Sequence, residues 1–115
     1  MQDELGRRQL AVDIKVVKTE DWLGADEVYV KASHGGASIT TKTRKLNDGQ
    51  EHTYTLPLMS FLPLTTPIHL EVYDEDWPDR DDLIVRMDWR PPFDPLQNSE
   101  SLDEADYRVQ VRFER

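Results

Sequence analysis

The stretch Ile68-His69-Leu70-Glu71-Val72-Tyr73-Asp74-Glu75-Asp76-Trp77-Pro78-Asp79-Arg80-Asp81-Asp82 decides how this chain reads. Its first six residues alternate: Ile68, Leu70 and Val72 fall on one side of an extended backbone, and His69, Glu71 and Tyr73 on the other. A period of two in β-branched and aromatic residues predicts a strand with one buried face. Of the nine residues from Asp74 to Asp82, six are acids and one is basic. Carboxylates crowded at a strand end repel one another, which raises their pKa values or loosens the loop unless a cation sits among them. A loop rich in carboxylate oxygen, without sulfur or imidazole, suits a hard cation; Ca²⁺ takes about six to eight oxygens.

The same period of two runs through the rest of the chain. Leu10, Val12, Ile14 and Val16 form one apolar face, and Val28, Val30 and Ala32 another. The Thr-rich segment 37–43 predicts a weaker edge strand. Tyr54, Leu56 and Leu58 alternate with Thr53, Thr55 and Pro57, and the proline again places that strand at an edge. Leu83 to Trp89 is a further run, with Trp89 expected in the core, and Tyr107, Val109, Val111 and Phe113 make the cleanest alternation. His34-Gly35-Gly36, Asn47-Asp48-Gly49 and the proline-flanked segment 62–67 supply turns. No segment has a helical period beyond one turn at 100–105, and 90–99, with three prolines, reads as an extended loop. The expected fold is all-β, an antiparallel β-sandwich of about seven to eight strands. The 115 residues make a single domain, which also suits a module of a longer protein.

Antiparallel strands reverse at each connection, so alternate connections share an end. The first (Thr19–Asp26), third (Arg44–Glu51) and fifth (Asp74–Asp82) are therefore expected at one pole. That brings Glu20, Asp21, Asp26 and Glu27 towards the acidic run, and these ten acids account for the excess: the rest of the chain holds 14 basic and 13 acidic residues. The formal charge of −9 disfavours nucleic acid as a partner.

Two segments together resemble the C2 domain, the calcium- and phospholipid-binding β-sandwich. They are Thr19-Glu20-Asp21-Trp22-Leu23-Gly24-Ala25-Asp26-Glu27-Val28-Tyr29-Val30-Lys31 and Val72-Tyr73-Asp74-Glu75-Asp76-Trp77-Pro78-Asp79-Arg80-Asp81-Asp82-Leu83-Ile84. Asp74, Asp76 and Asp82 match the later-loop spacing of that family without a gap, and Asp21 matches the leading acid of its first loop. Aligning on Tyr29-Val30-Lys31 puts Glu27 at the second first-loop position, with Asp26 beside it as the alternative. Val28 replaces the family's proline, and Val85 its glycine after the later apolar pair. The resemblance implies Ca²⁺ held by Asp21, Asp26 or Glu27, Asp74, Asp76 and Asp82, with Asp79 and Asp81 offering a second, weaker ion. It also implies loop tips that dock on an anionic phospholipid surface or on a protein, with Trp22 and Trp77 projecting from them; exposed indoles suit a membrane interface.

Other chemistries fit poorly. Counted from Asp74, an EF-hand would need Gly where Asp79 stands and Glu where Val85 stands. An Asp-x-Asp enzyme site needs a larger α/β scaffold, and no Ser lies in a nucleophile elbow, so no catalytic residue is expected. The absence of cysteine excludes disulfides and thiolate metal sites. His34, His52 and His69 have no metal spacing and are expected at the surface. Lys31, Lys42, Arg44 and Lys45 would form a basic face or simply a solvated one. Residues 1–10 carry no apolar run of a signal peptide, and no stretch has the length of a membrane helix. Two further readings stand beside docking: a domain stapled by calcium within a secreted or virulence-associated protein, and an adaptor whose acids meet a basic partner without an ion.

Overall fold

The computed structural model describes residues 9–19, 24–57, 68–75, 80–89 and 105–114. Among these are eight strands and no helix: β1 (Gln9–Lys18), β2 (Asp26–His34), β3 (Ala37–Thr40), β4 (Arg44–Leu46), β5 (Glu51–Pro57), β6 (Ile68–Asp74), β7 (Asp82–Trp89) and β8 (Asp106–Glu114). They form two antiparallel sheets. One has the order β5-β1-β8; the other runs β3-β2-β6-β7, with β4 also paired to β2.

The alternation seen in the sequence is the burial pattern of the sandwich. Leu10, Val12, Ile14, Val16, Leu56, Val109 and Val111 of the smaller sheet share one core with Val28, Val30, Ala32, Ile68, Leu70 and Val72 of the larger. The two strands expected at edges are edges, since β3 and β5 each end a sheet. The segment expected as one strand over 37–43 is interrupted. At the break, the Thr41 hydroxyl accepts the Val30 N–H at 2.9 Å and the Thr41 N–H donates to the Val30 carbonyl at 2.9 Å. The chain then resumes as β4, so the third connection shortens to residues 47–50. The helical turn, the proline-rich loop and the side chain of Trp89 lie outside the described residues.

Two bulges interrupt the ladders. In β1, Val16 faces Tyr107 and Lys18 faces Asp106, leaving Val17 as the extra residue. Val17, which alternation from the buried Val16 already turns outward, is the one exposed large hydrophobic among the described residues. In β7, Val85 faces Val72 and Leu83 faces Tyr73, which makes Ile84 the extra residue. An extra residue resets which face each following side chain takes, and Ile84 and Val85 are both buried.

Two tyrosines of the smaller sheet reach across the core to β2. The Tyr54 hydroxyl donates to the Val28 carbonyl at 2.7 Å, and the Tyr107 hydroxyl donates to the Asp26 carboxylate. Burial raises the Tyr54 pKa, so the hydroxyl keeps its proton and remains a donor. Each bond joins the sheets near the end where β2 begins.

Two half-buried groups of the smaller sheet make stability depend on pH. Burial, then the Arg44 charge, holds the His52 pKa below its ordinary value; the imidazole also sits edge-on to Tyr54 at 4.8 Å. Burial alone would raise the Asp13 carboxyl, but hydrogen bonds from Arg112 and Thr53 and the Arg112 charge hold it below the usual range. Both folded pKa values are depressed, so both contributions are complete above the unfolded pKa and are lost as pH falls. The His52 contribution fades below about pH 6.5 and that of Asp13 below about pH 4. Urea midpoints taken without calcium at pH 7.5, 5 and 3 should fall in both intervals. In His52→Gln the drop from 7.5 to 5 should shrink while the drop from 5 to 3 persists.

Candidate metal-binding pole

β1 ends at Lys18, β4 at Leu46 and β6 at Asp74; β2 begins at Asp26, β5 at Glu51 and β7 at Asp82. All six ends lie at one pole of the sandwich: Asp26 faces Leu46, Val28 faces Asp74 and Asp74 faces Asp82 in the larger sheet, Lys15 faces Glu51 in the smaller, and the Tyr107–Asp26 bond joins the two. The first and fifth connections are also bonded to each other. In register, Val28 of β2 faces Asp74 of β6. The Glu27 N–H donates to Asp74 Oδ1 at 2.8 Å, and the Glu75 N–H donates to the Glu27 carbonyl at 2.8 Å. Residues far apart in sequence therefore share one hydrogen-bonded corner.

Asp74 is 3% exposed and Asp26 is fully buried, an unusual state for carboxylates. Alternation puts both on the inner face with Val28 and Val72, whereas Glu27 and Tyr29 take the outer face and are half-buried. Asp82 lies directly opposite Asp74 in the β6–β7 ladder. It takes that face only because of the Ile84 bulge; with uninterrupted alternation from Val85 it would have pointed outward. Two acids directly opposite on one face of an antiparallel pair repel. A divalent cation between two carboxylates offsets such repulsion, and a hard cation takes about six to eight oxygens, more than this pair supplies.

The outer face ties down the other stems. The Tyr29 hydroxyl donates to Asp81, and the Thr43 hydroxyl donates to Glu75 Oε2 at 3.1 Å. Tyr29 stacks on Tyr73 with ring centroids 5.3 Å apart and planes 14° from parallel. Burial, then the Asp81 bond and nearby acids, raises the Tyr29 pKa, which keeps its hydroxyl protonated for that bond.

The structure thus brings Asp26, Glu27, Asp74, Asp81 and Asp82 to one pole. Asp21, Asp76, Asp79, Trp22 and Trp77 lie outside the described residues. Among the described residues, no group of three or more histidine, cysteine or acidic side chains is arranged to hold a metal ion. Of the basic residues, Lys42 and Arg44 line a groove between β4 and β5 beside His52, while Lys31 lines another with Tyr29 and Asp81. Of the histidines, His69 is engaged with Asp88 at 2.8 Å. Sequence reasoning missed Tyr107 and Tyr29 as partners of Asp26 and Asp81. A strand pattern marks a tyrosine as inward or outward but not which carboxylate it meets.

No family profile and no curated protein matches this chain in sequence. In three dimensions the chain is similar to the solved structure named BON1-C2B. The TM-score is 0.53 at 10% identity, with 100% of this chain and 98% of that one covered. At that identity the likeness concerns the fold, and the fold is C2-like. No helix among the described residues is long and apolar enough to cross a membrane.

Proposed function

We propose that this C2-like domain is a binding module whose acidic pole takes up Ca²⁺ between its first and fifth connections and then docks on a membrane or protein partner. The observation that carries the reading is the Asp74–Asp82 pair: two acids held face to face at the junction of both acidic connections. Asp74, Asp76 and Asp82 are the proposed ligands from the fifth connection, and Asp21 with Asp26 or Glu27 those from the first. Asp79 and Asp81 are the proposed ligands of a second ion.

Bound Ca²⁺ would supply positive charge to the pole and a bridge to anionic headgroup oxygens. The chain's own part is electrostatic. Without a cation, the facing carboxylates of Asp74 and Asp82 repel at the root of the fifth connection; with their charge neutralised, Trp22 and Trp77 are the tips proposed to dock. Asp26 already accepts from Tyr107, whereas the half-exposed Glu27 side chain lies on the other face, so the two candidates differ in what a ligand would give up.

Isothermal titration with Ca²⁺ tests the reading. Wild type should release or absorb heat and gain thermal stability, because a ligand bound only by the folded state stabilises it. Asp76→Asn and Asp74→Asn should each weaken binding by about tenfold or more, since ligand charge sets affinity. Asp26→Asn and Glu27→Gln compared side by side identify the first-connection ligand as the one whose loss raises Kd. Acid should act against binding, because the carboxylate ligands must be ionised. Co-sedimentation with phosphatidylserine vesicles, with and without chelator, separates membrane docking from a purely structural ion. No heat at millimolar Ca²⁺ would leave the acids to a direct contact with a basic partner, which salt would weaken and chelator would not.

A further inference from the structure

β5 ends the smaller sheet, and its far side meets no other described strand. The Val16 N–H donates to the Gln50 carbonyl at 2.9 Å, where the β1–β5 ladder begins. Such bonds recur at every second residue of an antiparallel pair. His52, Tyr54 and Leu56 therefore turn their N–H and carbonyl groups to β1, and Glu51, Thr53 and Thr55 turn theirs to the open edge. An unpaired edge invites another chain unless charges, prolines or a bulge blunt it. Glu51 and Pro57 stand only at the two ends of β5, and the residues between them carry no such device. A groove runs along this edge. Residues 52–55 of β5 form one wall, and the other, residues 41–44, carries Lys42 and Arg44. In a chain of formal charge −9, no acid lines this groove, and among the described residues neither cation is paired with a carboxylate.

We propose that the β5 edge takes up an extended peptide of a partner protein that carries an acid at every second residue. The peptide backbone pairs with the outward N–H and carbonyl groups of Thr53 and Thr55, which is how a strand is added to a sheet edge. Successive side chains of an extended chain point to opposite faces. Those on the side of His52 and Tyr54 enter the groove and meet Lys42 and Arg44, so acids belong at these positions. The alternate residues stay in solvent on the side of Thr53 and Thr55. A second copy of this chain is a poor occupant, because its own Lys42 and Arg44 would enter the same groove and set like charge against like. The site uses none of the acids of the metal-binding pole, so it stands apart from the calcium reading.

The test titrates the full chain, in chelator, with an end-blocked peptide that alternates Glu with Thr. Affinity is read by calorimetry, protection by hydrogen exchange at the Thr53 and Thr55 amides, and assembly by sedimentation. The peptide should bind and slow exchange at both amides, which β1 does not protect. Arg44→Glu should weaken binding by about tenfold or more, while Arg108→Glu, an equal change of charge on the exposed side of β8, should leave it within about twofold. Thr55→Pro removes an edge N–H without touching the β1 ladder, a change that an edge strand tolerates. It should also cost about tenfold in affinity. A peptide N-methylated at alternate residues, on the groups that face the edge, repeats this test without altering the protein and should not bind. No binding at millimolar peptide, or equal binding of a peptide that alternates Lys with Thr, overturns the proposal. So does undiminished binding of the N-methylated peptide and to Thr55→Pro when Arg44→Glu abolishes it; the groove would then be a simple anion site, emptied equally well by inorganic phosphate. A dimer of the chain in the absence of peptide would assign the edge to a second copy and overturn it as well.

Discussion

Tyr107→Phe is expected to lower folding stability by about 2–3 kcal/mol, a large effect for the loss of one oxygen atom. The hydroxyl is 1% exposed at the residue level and donates to a fully buried carboxylate on the opposite sheet. Removing it takes a donor from a charge that water does not reach, and the cost of such a loss exceeds that of a neutral hydrogen bond. Tyr54→Phe is the internal comparison. Its hydroxyl meets the neutral Val28 carbonyl, also buried and also between the sheets, so its loss should cost only about 1 kcal/mol. Urea unfolding at pH 7.5 should show both midpoints lowered at unchanged slope, with Tyr107→Phe clearly the larger. The reverse order would mean that the bond to Asp26 contributes no more than a bond to a neutral acceptor.

The second large effect concerns the core, where two substitutions of similar size should differ. Ile14→Ala should cost about 3–4 kcal/mol and Leu70→Ala about 2–3 kcal/mol. Both side chains are at most 1% exposed. Ile14, on the central strand of the smaller sheet, is flanked by Val109 and His52, whose stiff or ring-shaped side chains cannot close a hole. Leu70 is flanked by Ala32 and by Met87, and the unbranched methionine can lean into the vacated space. Equal losses at the two sites would show that local relaxation plays no part.

Much of the fold was legible from the residues in order. The alternation of Leu10 to Val16, Ile68 to Tyr73 and Tyr107 to Val111 gave the buried faces correctly, because side chains in a strand alternate whatever the partner. Thr-rich and proline-bearing segments marked β3 and β5 as edges for an equally local reason. The break at Thr41 was not legible, since a threonine that turns its hydroxyl on a neighbouring backbone N–H looks in sequence like any other strand threonine. Nor was the role of Asn47-Asp48-Gly49 beyond that of a turn, because its bonds go to β1, some 30 residues away in the chain.

The order of residues alone settled seven of the eight described strands, which side of each is apolar and where the acids are concentrated; all of these depend on neighbours one or two positions apart. Tertiary structure decided which acids confront each other. The single extra residue at Ile84 turns Asp82 towards Asp74, and contacts across the core assign Asp26 to Tyr107. Register, bulge and inter-sheet contact are properties of two strands at once, so neither strand's sequence contains them.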